Sequence, residues 1–597
     1  MAFQDFDQIT ERRKTENARK LKRRIIIAVV AVILLVGIIV AAIVIVNKMK
    51  TDKATKKASK PAPAPPKPTE DPPTQDPTKN ETSTSSKIVQ QMCGSTDYKD
   101  RCKEVFKNTK DPISKPKEVI KTAISGASDE AKSAFTKASE LTFDKEEDKE
   151  AFEDCKALFD NAKEELEESV DQVGNSTTSG KMRTGVLNSW LSAVISYQQT
   201  CIDGFPDGDV KSKMSETLEA TKELTSNSLA MISLLSELKV PGSGGSSGSS
   251  RRLLAQDKDG FPSWLTHEER RVLKKNDEKP TPNVTVAKDG SGNYKSISEA
   301  LSAMPEKYEG RYIIYVKEGV YDETVNVTKK MPNLTIYGDG SQKSIITGNK
   351  NNADGVKLFN TATFVALGEG FIAKSMGFRN TAGREKQQAV AARVLGDRAI
   401  FLNCRFEGYQ NTLFVQAHRQ FYKSCVVSGT VDFIFGDAAA TFQNCIIYIR
   451  KPKENQQNIV TAQGRTDKHE TTGIVLHNCK ILPDKEFESE KSQFKSYLGR
   501  PWKEYSRTIV MESTIEDVID QDGWTEMDGD FGKKTLFYGE YNNNGPRSNT
   551  DNRVKWPGYK VLNKDEAMAF TVGPFLKGNA WLKNLNGVPV RFGLFGN

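Results

Sequence analysis

Asp432 is a carboxylate set inside an apolar run, VDFIFG. Asn411 precedes it in GYQN, and Gln410 follows Gln388 at almost the same interval. A carboxylate can attack a carbonyl carbon and form a covalent intermediate. Amide N–H groups can hold the oxyanion that develops during the attack. The chemistry needs these residues to meet in space although the sequence keeps them one near-constant interval apart. A lone Asp in such a run also reads as a turn or cap residue; several polar side chains at one interval argue against that alternative.

The elements that would bring them together are visible between Phe401 and Arg450. Cys404, Cys425 and Cys445 recur at near-equal spacing, each in a frame of apolar residue, Asn or Ser, Cys, then apolar residues, and the frame returns at LHNCKI around Cys479. Short β-type runs with a period of roughly 20 residues, separated by Gly and Asn, predict a solenoid whose turns stack on one another. Strand neighbours in the stack lie about 4.8 Å apart. One turn of a parallel β-helix therefore places Asn411 beside Asp432 and Gln388 beside Gln410. Further short runs, YIIYV (312–316), ETVNV (323–327), LTIYGDG (334–340) and SIITG (344–348), break at Gly, Asp or Asn in the same manner.

The motifs GFRNTAG (377–383), QAVAAR (388–393), GYQNTLF (408–414), GTVDFIFG (429–436), TAQGR (461–465) and YLGRPW (497–502) resemble those of plant pectin methylesterases, across about 280–597. The Cys-containing region upstream resembles the inhibitor-like pro-domain of that family. The resemblance implies an all-β right-handed parallel β-helix that removes methyl groups from homogalacturonan esters. It implies Asp432 as nucleophile, Gln388 and Gln410 as oxyanion donors, and Arg500 as the guanidinium that orients the carboxylate and keeps it ionised. Trp502 offers an apolar face to a sugar ring, with core packing beneath a loop as its alternative. The implied substrate contacts are Gln388, Arg500 and Trp502.

Two positions depart from the family pattern. Where the family usually has Asp as proton donor and then base, this chain has Asn411, which is nearly isosteric but does not exchange a proton in the working pH range. Where the family commonly has Thr before the Phe of DGVKLF, this chain has Leu358.

Composition bounds the remaining possibilities. At 597 residues the chain exceeds one typical domain. A net charge of +8 favours an acidic partner; no nucleic-acid recognition motif is present, and an acidic polysaccharide fits the resemblance. The four His residues, His267, His418, His469 and His477, have no metal-ligand spacing, so neither a catalytic metal nor a cofactor is expected.

In chain order, residues 1–24 form a polar tail ending in the basic cluster Arg19, Lys20, Lys22, Arg23 and Arg24. Ile25 to Val46 is nearly all apolar and carries no charge, and it is long enough to span a bilayer. With the positive cluster on its N-terminal side, it predicts a transmembrane signal-anchor of type II orientation; a long cleaved signal is the alternative. Either route leads through the secretory pathway toward the cell wall. Residues 47–86 are a Pro-, Lys- and Thr-rich spacer.

Residues 87–240 change to helical periodicity, as in Phe152, Cys155, Leu158, Phe159, Ala162, Leu166, Val170 and Val173, and predict a four-helix bundle. Spacing leaves three connectivities open for Cys93, Cys102, Cys155 and Cys201. The resemblance implies the pairs Cys93–Cys102 and Cys155–Cys201, and in the solenoid Cys425–Cys445; Cys404 and Cys479 stay open. An inhibitor and a folding or targeting module are both compatible with this bundle. Residues 241–257 hold a Gly/Ser linker followed by Arg251, Arg252, Leu253 and Leu254, a dibasic protease target on an exposed segment. Sequons at Asn80, Asn175, Asn283, Asn326 and Asn333 would all be translocated and open to glycosylation.

Three functions compete for this sequence: an ester hydrolase, a pectin-binding β-helix with little turnover, and a polysaccharide lyase or glycosidase, since a fold does not imply a function. Methanol release without chain cleavage separates the first from the third.

Overall fold

The computed structural model describes residues 87–107, 113, 115–174, 183–237, 280–583 and 590–595. The predicted anchor at 25–46, the spacer at 47–86 and the processing site at Arg251–Leu254 lie outside the described residues, as do Asn80 and Asn175. Among the described residues no helix is long and apolar enough to cross a membrane.

Five helices follow one another: α1 (Lys99–Phe106), α2 (Pro116–Ser139), α3 (Glu146–Gly174), α4 (Thr184–Gly204) and α5 (Asp209–Glu237). Helix α2 begins on Pro116, and the Glu118 carboxylate folds back to accept from the Lys115 N–H at 3.2 Å. In α3 the predicted stripe is buried at Phe152, Cys155, Leu158, Phe159, Ala162, Leu166 and Val173. In α4 it is buried at Leu187, Leu191, Val194 and Ile195. The bonds Cys93–Cys102 and Cys155–Cys201 tie α1 to the helical segment 87–94 before it and α3 to α4.

From Val284 the chain winds into three parallel sheets of eleven, seven and eight strands, and between Tyr312 and Gly499 each turn adds one strand to each sheet. Every strand pairing in them is parallel and in register, for example Leu413↔Ile434 and Phe421↔Thr441. The Asn or Ser before each Cys is explained by backbone geometry. Asn403, Ser424, Asn444 and Asn478 all have φ between 51 and 57°. This left-handed corner favours Asn, and it turns the chain so that the following Cys faces inward.

The interior is a column of stacked rings: Phe401 lies 5.0 Å from Tyr422 and Tyr422 4.4 Å from Phe442, with the ring planes nearly parallel in both cases. Beside it Cys404, Cys425, Cys445 and Cys479 form a second column, all buried and all free thiols. The expected Cys425–Cys445 bond is therefore not present. Side chains on successive parallel rungs project side by side at about the strand spacing of 4.8 Å, whereas a disulfide draws its Cβ atoms to about 3.8 Å. The thiols pack as small apolar groups instead.

With both disulfides in the bundle, reductant should act on one half of the molecule. Dithiothreitol is expected to lower the bundle's stability by about 2–4 kcal/mol per bond opened and to leave the β-helix transition unmoved. Thermal melts followed by near-ultraviolet signals of each half check this, and a β-helix that melts earlier under reductant contradicts the free-thiol column.

Candidate active site

The site forms on the seven-stranded sheet, at the corner where each rung enters its strand. Asn411 and Asp432 occupy the same corner on consecutive rungs, just before Leu413 and Ile434, which pair in register. Both adopt left-handed backbone, with φ of 60° and 50°. The Asn411 N–H donates to the Val431 carbonyl (3.0 Å) and its side-chain amide to the Asp432 carbonyl (3.3 Å). Gln388 and Gln410 bridge in parallel one rung earlier, and both remain half-buried.

Arg500 reaches Asp432 from the rung that follows strand Ser496–Gly499. Its Nε donates to Oδ1 at 2.8 Å and its Nη2 to Oδ2 at 2.6 Å, a bidentate fork with the carboxylate side chain only 12% exposed. Such a pair keeps both charges oriented as well as attracted. Burial pulls the Arg500 pKa down, but the hydrogen bonds and charge of Asp432 outweigh it and the net direction is upward. Asn411 is 4% exposed, and its Oδ1 has no hydrogen-bond partner. This position therefore carries an amide, which donates to the next rung and does not exchange a proton in the working pH range.

An aromatic ledge borders the carboxylate. Phe414 stacks on Phe435 at 4.4 Å, and Trp502 meets Phe435 edge-on at 5.8 Å. A Cβ on Gly464 would sit 3.0 Å from the indole, so glycine is what lets the ring come down. Trp502 is half-buried and lines a cavity of about 640 Å³ together with Gln388, Phe414 and Leu358. It packs and faces open space at once, which joins the two readings its sequence position allowed.

The helical bundle roofs this cavity. Helix α4 lays a polar stripe on the β-helix: Ser189 bonds Asp397, Ser192 accepts from the Thr471 N–H, Ser196 donates to the Gln416 carbonyl and Asp203 pairs with Lys503. Beside it, His418 Nε2 lies 2.9 Å from Glu165 and 3.0 Å from the Tyr197 hydroxyl. His418 carries no role in the sequence reading; its contacts with Ser189, Tyr197 and Glu165 join the two halves. Of the sequons, Asn326 is exposed, Asn333 is half-buried, and both side-chain atoms of Asn283 are engaged by Tyr308 and the Ile313 N–H.

Residues 283–579 match the family model described as Pectinesterase, and residues 87–231 match the one described as Plant invertase/pectin methylesterase inhibitor. An Arabidopsis thaliana relative named as a pectinesterase/pectinesterase inhibitor (number 45 of its series) is 51% identical over the full length of both chains. The chain belongs to the pectinesterase family. A second such Arabidopsis thaliana relative, number 13, is 48% identical over the full length of both chains. The pectin methylesterase structure from carrot is 49% identical, with a TM-score of 0.52, covering 53% of this chain and 99% of that one.

The docking contact at His418 has a definite pH sense. Burial lowers its pKa, but the charge and hydrogen bond of Glu165 and the charge of Asp397 outweigh burial and the opposing Lys329, so the net shift is upward from 6.5. The neighbouring Tyr197 is held far above its usual value by burial first and then by Glu165, and stays a neutral phenol. A raised histidine pKa gives stability that is complete below 6.5 and lost as pH rises through the shifted value. After cleavage within 241–257, the bundle is expected to co-elute with the pectinesterase domain below pH 6 and to dissociate more readily toward pH 8. His418→Gln should flatten that dependence; an unchanged pH profile in this variant contradicts the assignment.

Proposed function

We propose that this chain demethylesterifies homogalacturonan in the plant cell wall, slowly, through an aspartyl acyl-enzyme. The observation that carries the reading is the Asp432 carboxylate clamped by Arg500 at the wall of a ledge that also holds Gln388 and Gln410. The Asp432 carboxylate attacks the ester carbonyl carbon, and the pair of electrons displaced onto the carbonyl oxygen is stabilised by the Gln388 and Gln410 amides. The oxyanion collapses, the C–O bond to methoxide breaks, and an anhydride joins the uronate to Asp432. Water then adds to the uronyl carbon and Asp432 leaves as the free carboxylate, completing the cycle.

Asn411 is where this cycle slows. Methoxide is a poor leaving group without a proton, and the attacking water needs a base. Asn411 supplies neither, so solvent must carry both protons. General acid–base assistance is worth about 100- to 10,000-fold, and that is the expected deficit.

The secretory route, the type II anchor through 25–46, the processing protease acting at Arg251–Leu254 and glycosylation at the exposed sequons complete the reading. The bundle acts as an intramolecular inhibitor, supported by its position over the cleft that Trp502 and Gln388 line. A second reading, a pectin-binding β-helix with little turnover, is favoured by the same Asn411.

Methanol release by the chain cut within 241–257 and freed of its bundle decides between them. Asn411→Asp is expected to exceed the unaltered chain by about 100-fold or more, and Asp432→Asn to abolish release. Equal, substantial rates for Asn411 and Asp chains would show that another proton relay serves. Release no faster than Asp432→Asn, with pectin affinity retained, establishes the binder.

A further inference from the structure

Two buried carboxyl groups take no part in the ester chemistry. Asp437 follows the strand Ile434–Gly436 and is 5% exposed; Glu470, in the loop 464–472, is 1% exposed. Asp432 precedes the same strand, so the candidate nucleophile and Asp437 stand at its two ends. Asp437 Oδ1 accepts from Gln463 Nε2 at 3.0 Å and from the Thr472 hydroxyl at 2.5 Å. Glu470 Oε1 accepts from the Thr466 hydroxyl at 3.1 Å. Asp437 Oδ2 and Glu470 Oε2 are buried with no donor group on them. The two side chains are hydrogen-bonded to each other, and two carboxyls meet in that way only with a proton between them.

The Arg465 guanidinium does not neutralise the pair directly. It donates to the backbone carbonyls of Glu470 (3.0 Å), Tyr505 (3.4 Å) and Lys468. Asp467 and Arg507 also bear on the pair, while Lys468 and His469 of the loop are engaged by Asp97 of the bundle. Across a small cavity that Asp437 lines, Lys503 and Asp203 pair with each other. Burial pushes Asp437 up to about 6, against its hydrogen bonds and the charge of Arg465. Burial and then the charge of Asp437 push Glu470 well above its usual value. Rising pH therefore ionises Asp437 first, while Glu470 keeps its proton. An ionised Oδ1 is the stronger acceptor, so its hold on Gln463 tightens above about 6 and relaxes below.

Gln463 carries that hold to the aromatic ledge. Its Oε1 accepts from the N–H groups of Arg465 and Arg507, at 3.0 and 2.7 Å. Gly464 comes next, bonded to the Gly436 carbonyl at 2.9 Å, and the Trp502 indole rests on it. Asp437, Gly464 and Trp502 line the same small cavity, with Thr200 and Asp203 of the bundle.

We propose that the Asp437–Glu470 carboxyl pair is a proton-operated prop for the Trp502 ledge, and that Asp437, through Gln463 and Gly464, is a positioning residue that sets how firmly the indole is presented to a sugar ring. The inference rests on the reading of the cleft as a pectin site and deepens it with a means of regulation.

The test titrates the full chain and reads Trp502 fluorescence as the difference from Trp502→Phe. A step with its midpoint near 6 is expected. Asp437→Asn with Glu470→Gln puts an amide donor where the shared proton stood, so the fold is kept and the step should vanish. His418→Gln should leave the step in place, because that histidine acts at a different contact. In the chain cut within 241–257, affinity for methyl-esterified pectin should rise by about twofold or more across the step, and stay level in the double-amide variant. No step, a step that survives the double amide, a step lost with His418→Gln, or a step without a change in affinity overturns the proposal. Methanol release is read separately. A step and an affinity change without turnover leave the prop standing and defeat the esterase reading; turnover without the step does the reverse.

Discussion

In-register parallel stacking of one rung on the next is the constraint on which the rest of the structure depends. Ala392 pairs with Leu413, Leu413 with Ile434, Ile434 with Thr461 and Thr461 with Gly499. With strands about 4.8 Å apart, a slip of one residue would turn every inward ring of the Phe401–Tyr422–Phe442 column outward. The buried column fixes the register, and the register places the left-handed corner of Asn411 one rung from that of Asp432. A carboxylate that would be expensive to bury alone thus meets Arg500, delivered by a rung farther along the same wall. Folding and catalysis share one geometric cause.

A buried ion pair is weak evidence for stability, because the cost of taking two charges out of water offsets much of their attraction. The Asp432–Arg500 fork has a better explanation as positioning. It locks the plane of the carboxylate through two hydrogen bonds. The contrast with the Asp397–Arg419 pair is informative. There both side chains are less than a tenth exposed, and the carboxyl is pushed far down in pKa because its arginine outweighs burial. That pair closes the wall under Ser189 of the bundle and takes no part in the cleft that Trp502 and Gln388 line.

The sequence was legible where the rung is shortest. Between Gln388 and Ile449 successive turns are nearly equal in length and almost nothing interrupts them, so the interval alone aligned Gln388, Gln410, Asn411 and Asp432. Farther on, the pairing jumps from Ile434 to Thr461 and from Thr461 to Gly499. The added residues leave the stack as loops, so spacing cannot predict the arrival of Arg500; the YLGRPW motif identified it instead. The cysteines show the opposite failure. Near-equal spacing told correctly that Cys425 and Cys445 face each other across one rung, but adjacency in a parallel stack leaves thiols side by side rather than bonded. The docking surface was illegible for another reason. Ser189, Ser192, Ser196, Thr200 and Asp203 recur at steps of three and four, which on its own describes a solvated helix face. Only the β-helix that covers them makes them an interface.

That polar face also bears on how the two halves coexist. An obligate interface would be expected to bury a broad apolar core. Here Leu395 and Ala417 of the β-helix do join the bundle's core cluster, but the contacts around the cleft are hydroxyls, carbonyls and single-sign ion pairs. Partly exposed pairs such as Lys503–Asp203 contribute little individually and weaken with salt. A roof held in this way is strong while tethered, because the linker keeps its local concentration high. It becomes releasable once the tether is cut.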